Sequence, residues 1–197
     1  MADGPRAPSS RARLAAAGVF GLLVFAALAW LAGAQGITWD EARDYLFWVR
    51  RFDAWVDAVL AEGAAAWTLE RIDAGVASDD RHPHLFKLMG WVSASLLGDA
   101  LPFPLRARLG PAAFVAATLA FTLHHLLGRY GWLPAAAALL AVVGQPRFLG
   151  HGSFLATDAP LACFVLLGVL VCADAERSPR ARALLYVAVA GAIWTKF

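Results

Sequence analysis

The sequence predicts an all-α integral membrane protein, a multi-span helical bundle whose first loop outside the bilayer is long and carries amphipathic juxtamembrane helices. Three observations lead there. Hydrophobic residues make up 60% of the 197 and charged residues only 16%, and the mean hydropathy is +0.59, more apolar than a soluble domain. Residues 14–39 hold no charge, and about 20 apolar residues suffice to cross a hydrocarbon core about 30 Å thick. Comparable runs recur at 109–128, 130–146, 148–173 (broken by Asp158) and 183–195. Helices follow because an open strand in lipid leaves its backbone groups unpaired.

Taken in order, residues 1–13 form a cytoplasmic tail and 14–197 a membrane domain. Its five spans are expected at about 14–34, 109–128, 131–147, 159–173 and 183–197, with an extracytoplasmic loop over 35–108. Orientation follows from the short basic segments. Arg6, Arg11 and Arg13 precede the first span, Arg129 separates the second from the third, and Arg177, Arg180 and Arg182 precede the fifth. All three segments share one side, the cytoplasm, if 35–108 lies on the other. Ala32-Gly33-Ala34 resembles a signal-peptide cleavage site, but the long apolar run and the later spans favour a retained anchor.

The net charge of +2 makes no case for nucleic acid. Cys163 and Cys172 lie nine apart on one expected helix, out of reach of each other, and are read as packing residues. His124 and His125 are read as helix-packing residues within the second span. Residues 2–10 are polar and contain proline, the one disorder-like segment.

The loop over 35–108 is the informative part. From Tyr45 through Trp48, Val49, Phe52, Trp55, Val56, Val59 and Leu60, apolar residues recur every three or four positions. That periodicity predicts an amphipathic helix lying on the membrane with its aromatic face at the interface. At its start, Thr38 and Glu41 match a capping box, which gives Glu41 a structural reason to be there. Asp40 suits a first helical turn through the helix dipole; a catalytic role competes with that reading.

Residues 79–91, "DDRHPHLFKLMGW", place His82, His84 and Lys87 around Pro83, a residue favoured at a helix start. An anion site at that helix N-terminus competes with a solvated turn and a snorkelling lysine. The spacing fits no recognised metal-ligand pattern, so no metal site is expected. The run 85–98 is too short to span comfortably and reads as re-entrant or interfacial. Further on, Arg147, His151 and Asp158 fall on the same side as Asp40, and ionisable residues near a bilayer are functional candidates. A helix-start role competes for Asp158, which precedes Ala159-Pro160.

Four stretches taken in order, "WDEARDY", "HPHLFKL", "RLGPAAF" and "PRFLGHGSFLATDAPLACF", resemble the family 39 transferases from about residue 14 onward. These are membrane glycosyltransferases of the GT-C fold, among them the protein O-mannosyltransferases and the bacterial aminoarabinose transferases. The resemblance implies a sugar transferred from a polyprenyl- or dolichyl-phosphate carrier to a protein, lipid or glycan acceptor. It matches the family's acidic pair to Asp40 and Glu41, with Asp40 activating the acceptor. His82 and Lys87 match a His-Pro-Pro-Leu-type motif in which His84 replaces the second proline. Arg108 matches the arginine opening the second span, with Arg106 a substitute. Arg147, His151 and Asp158 fall in a Pro-Arg…Gly-His…Thr-Asp-Ala-Pro pattern. A departing phosphate needs electrostatic stabilisation more than a proton, so one base suffices, and direct attack inverts the anomeric carbon. Lys87, Arg108 and Arg147 are expected to hold the phosphate. No cofactor is called for. The implied setting is a bacterial inner membrane, with the site facing the periplasm.

The chain ends at "AIWTKF", short of where such enzymes continue. The competing expectation is a shortened, non-catalytic membrane subunit that keeps the first half of the fold. A transporter is a weaker third, since the polar residues gather on one face instead of lining a path.

Overall fold

The structure, a computed structural model, describes residues 8–38, 41–77 and 84–196. Asp40 and His82 lie outside the described residues. Those described are helical and turn-like, with no strand. In chain order the helices are α1 (Ser10–Ala34), α2 (Leu46–Glu62), α3 (Leu69–Val76), α4 (Leu85–Leu97), α5 (Phe103–Tyr130), α6 (Trp132–Val143), α7 (Pro146–Ser153), α8 (Asp158–Ala175) and α9 (Pro179–Lys196). A π-helical turn over Glu41–Tyr45 leads into α2.

Three helices, α1, α5 and α8, are long and apolar enough to cross a membrane. The third expected span instead breaks into α6 and α7, bent by 67°. Alone, the 12 residues of α6 reach only about 18 Å; counted together, the bent pair makes a fourth candidate span. Gln145-Pro146 explains the break, because proline cannot continue the donor ladder of α6 but suits the first turn of α7. The fourth expected span survives as α8, starting one residue earlier. In the fifth position, α9 carries Arg180, Arg182 and Lys196 within its 18 residues, and among the described residues three or four candidate spans stand against the five expected.

Helix directions can be read from which residues meet. Arg108 near the start of α5 bonds Ala32 near the end of α1, Gly21 abuts Ala120, and Gly128 abuts Arg13, so α1 and α5 run antiparallel. Leu28, Val115, Leu119 and Leu127 are buried in this seam, which with Ala135, Leu139 and Cys163 forms the main core. Arg129 of α5 pairs with Asp174 of α8, which places their C-terminal ends together. The guanidinium of Arg182 donates to Ala175 O at the end of α8. Arg13, Arg129 and Arg182 therefore converge at one end of the bundle.

Against the other end packs α4, antiparallel to α5. The Ser93 hydroxyl lies 2.7 Å from Arg106 O and 3.5 Å from Ala107 O. Pro111 inside α5 supplies no N–H for Ala107 O. Gly110 lies so close to the Met89 carbonyl that a Cβ would collide with it. Through this register the first turn of α4 sits beside α5 residues past Gly110, deeper than the level of Arg108, and α4 then rises to the turn before α5.

The amphipathic helix exists as α2, but its aromatic stripe does not face lipid. Trp48 and Val49 are buried. Trp48 stacks on Phe52 and His84, with centroids 4.9 Å apart in each case, and its Nε1 donates to Val76 O at 2.8 Å. Phe52 meets Trp91 edge-on. The packing partner that the sequence did not reveal is α3 together with α4.

Candidate functional site

At the end of the bundle opposite the arginine cluster, Glu41 ties three segments together. Its carboxylate accepts from Arg108 Nε at 2.8 Å and Nη2 at 2.6 Å, and from the Leu155 backbone N–H at 3.0 Å. Both side chains are buried, Glu41 at 0% and Arg108 at 2% exposure. The first loop, α5 and the α7–α8 connection thus meet at one carboxylate. The two-pronged geometry and the extra backbone donor offset the cost of burying the charges.

The remaining Arg108 donors close off the end of α1. Nη1 reaches Ala32 O at 2.5 Å and Gln35 O at 3.1 Å, and Nη2 reaches Gly36 O at 2.9 Å. The last carbonyls of a helix lack partners within it and carry partial negative charge, so a cation suits them. Every N–H of the guanidinium then has a partner, and none is left in this arrangement for the carrier phosphate that Arg108 was expected to hold. The Phe154 ring covers the guanidinium at 5.1 Å.

The capping box is half present. Thr38 Oγ1 accepts from the Glu41 N–H at 3.3 Å, but the Glu41 side chain turns to Arg108 instead of reaching back, because a buried cation outbids a backbone N–H. The π-helical turn that follows, a form frequent at functional sites, leads to Tyr45, which meets Phe86 edge-on at 4.8 Å.

Lys87, in the first turn of α4, is fully buried. Its ammonium lies 5.7 Å from the ring centres of Tyr45 and Trp48 and 5.8 Å from that of Phe86, close enough for cation–π attraction. Of the three cations expected to grip a phosphate, only Arg147 is exposed.

Arg147, His151 and Asp158 come together. His151 Nδ1 lies 3.4 Å from Asp158 Oδ2, with both side chains about half exposed. All three residues line two adjoining clefts. One, of about 420 Å³, runs along α7 and α8 beside Gln145, Phe148 and Ala162. The other, of about 520 Å³, opens between the π turn and the α7–α8 connection, with Thr38, Tyr45 and Thr157 in its wall. These volumes suit small-molecule sites. Asp158 is also the first residue of α8, where the helix dipole favours it, so its two readings coexist.

Of the expected site residues, the structure joins Glu41 to Arg108, and Arg147 to His151 and Asp158, and it sets Lys87 against Tyr45 in the cleft wall. Sequence reasoning missed Tyr45, Gln35 and Ser153. The Ser153 hydroxyl lies 2.8 Å from Gln35 Oε1, pinning the end of α7 to the end of α1. The available signal was Gln35, a polar interruption of an otherwise apolar run. No protein-family model, no curated protein and no solved structure matches this chain.

Proposed function

We propose that this protein is a multi-pass membrane glycosyltransferase of the GT-C type, moving a sugar from a polyprenyl-phosphate carrier to an acceptor on the extracytoplasmic face, with Asp40 as general base. One observation carries the reading. The clefts lined by Arg147, His151 and Asp158 lie where α1 and α5 leave the apolar part of the bundle, and Thr38 and Glu41, the described residues flanking Asp40 in sequence, belong respectively to the cleft wall and its anchor. A carrier lipid presents its phosphate at that depth. The resemblance of the motifs to family 39 transferases supplies the reaction.

In this reading Arg147 meets the carrier phosphate through charge-assisted hydrogen bonds. Lys87 adds positive potential from behind the Tyr45 ring, weakly screened in its buried setting. Arg108 acts through Glu41, holding the acidic segment against the cleft. Asp40 takes the acceptor's proton as its oxygen attacks the anomeric carbon, and the phosphate departs on the opposite face. The arginine-rich end of the bundle faces the cytoplasm of a bacterial inner membrane.

A second reading is a non-catalytic membrane subunit with the same fold. The observation favouring it is the burial of Lys87 and Arg108, which leaves two of the three expected phosphate contacts without access to a cleft. Asp40→Asn separates the two. Transfer of labelled sugar from a polyprenyl-phosphate donor in membranes should fall by about 10²–10⁴-fold, with protein level and membrane insertion unchanged. Equal transfer by the variant would remove Asp40 as the base.

A further inference from the structure

Away from the clefts around Arg147, α3 folds back along α2 and leaves an open trough between the two helices. Arg51, Ala54, Trp55, Ala58 and Glu62 of α2 line it, at helical spacing that keeps them on one face. Arg71, Ala74 and Gly75 form the opposite wall from α3. Gly75 sets the closest approach, since a Cβ there would lie 2.5 Å from the Trp55 Cβ and 2.7 Å from its Cγ. Ala54, Ala58 and Ala74 contribute only methyl groups, and the trough opens to about 540 Å³, a size suited to a small molecule. It shares no lining residue with the clefts, and its reading does not depend on the function proposed for them.

The charged groups of the trough are balanced among themselves. The Arg51 guanidinium donates from Nε to Ala74 O at 2.6 Å and from Nη2 to Asp73 O at 3.4 Å, which settles it on the negative end of α3. Arg71 Nη1 pairs with Glu62 Oε2. A charged ligand would have to break one of these pairings to find a partner. Hydrogen-bonding capacity nevertheless remains. The Arg71 and Glu62 side chains are 47% and 45% exposed, and among the described residues Glu62 Oε1 and the Arg71 Nε and Nη2 groups have no partner.

An electrically balanced trough with open planar donors and acceptors suits a neutral ligand rich in hydroxyls. A carboxylate offers paired acceptors and a guanidinium paired donors, which match neighbouring hydroxyls on a sugar ring. Beside them Trp55 lines the trough. Trp67, 60% exposed, meets the Trp55 ring at 76° with centroids 5.4 Å apart, so indole surface is open to the apolar C–H face of a pyranose. A peptide would need donors and acceptors along the length of its backbone, where this trough offers methyl groups. We infer that the α2–α3 trough binds a neutral saccharide, with a sugar ring packed on the tryptophans and its hydroxyls bonded to Glu62 and Arg71.

The test uses the full chain in a polyoxyethylene detergent, because a maltoside or glucoside would itself compete. Saturation-transfer NMR reads contact between the protein and maltose, mannobiose or chitobiose, with citrate as the anionic probe and trialanine as the peptide probe. At least one disaccharide should receive saturation on its ring protons, whereas citrate and trialanine should receive none beyond that seen with empty micelles. Trp67→Ala and Glu62→Gln, both at exposed side chains, should each raise the Kd of that disaccharide by about tenfold, as loss of one ring contact or one charge-assisted bond implies. Asp57→Asn, exposed on α2 outside the trough, should leave it unchanged, and unaltered thermal midpoints show that the variants remain folded. Saturation of none of the three disaccharides, equal saturation of trialanine or citrate, or an Asp57→Asn effect matching that of Trp67→Ala would each overturn the site.

Discussion

Replacing Glu41 by Gln keeps the shape of the side chain and removes its charge, which makes it a direct probe of the junction that shapes the clefts. The amide oxygen still accepts one or two bonds, but the amide NH2 replaces Oε2, which now lies 2.6 Å from Arg108 Nη2, so two donors would face each other. Arg108, 2% exposed, would keep its carbonyl partners and lose its counter-charge. Breaking one side of a buried ion pair costs about 3–5 kcal/mol, which corresponds to a fall of about 10²–10⁴-fold in the ratio of folded to unfolded protein. Unfolding in mixed micelles, followed by the fluorescence of the Trp48 cluster, measures this directly. Adding Arg108→Met removes the stranded charge but leaves Ala32, Gln35 and Gly36 carbonyls without their cation, at about 1–3 kcal/mol for each group left unpaired. The double variant should therefore be less damaged than the sum of the single variants, by about 1–3 kcal/mol of coupling. A Glu41→Gln cost below about 1 kcal/mol, or strict additivity with Arg108→Met, would refute the junction as the element that holds the three segments.

Other outcomes follow from the same geometry. Gly110→Ala should lower the thermal midpoint through about 1–3 kcal/mol of overpacking against the Met89 carbonyl, whereas Gly18→Ala, whose Cβ meets nothing within 4 Å, should leave it unchanged or raise it slightly. Arg147→Gln should raise the KM for a polyprenyl-phosphate sugar by about tenfold or more without altering the thermal midpoint; an unchanged KM would remove it as the phosphate contact. Arg129→Gln, which breaks a partly exposed pair with Asp174, should cost less than about 1 kcal/mol and lose even that in high salt.

How much the sequence foretold differs from element to element. The long uncharged run of α1 was legible as a helix long and apolar enough to cross a membrane, because apolar length and backbone pairing are local properties. The spacing of apolar residues in α2 was equally legible, since a helical stripe is written in three- and four-residue steps. The partner covering that stripe was not. Trp48 and Phe52 look the same in sequence whether they meet lipid or meet His84 and Trp91, and only the fold of the segments that follow, α3 and α4, decides. Likewise the break at Gln145-Pro146 was visible as a proline, but its 67° bend, which turns α7 across the bundle and brings Arg147 and His151 to the clefts, was not.

The sequence by itself determined that the chain is helical and apolar enough for a membrane, roughly where α1, α4 and α8 run, and which ionisable residues were worth watching. Only the tertiary structure decided what those residues do to one another. Glu41 had a sufficient local partner in Thr38, and took Arg108, 67 positions away. In a buried, low-dielectric junction a charge gains more from a two-pronged ion pair than from a backbone N–H that another group can satisfy. Arg108, Lys87 and Arg147 carry the same charge in sequence. Packing made the first a clamp on the end of α1, the second a cation walled in by aromatic rings, and left the third exposed beside the clefts. Those differences depend on what surrounds each side chain, and sequence spacing does not record that.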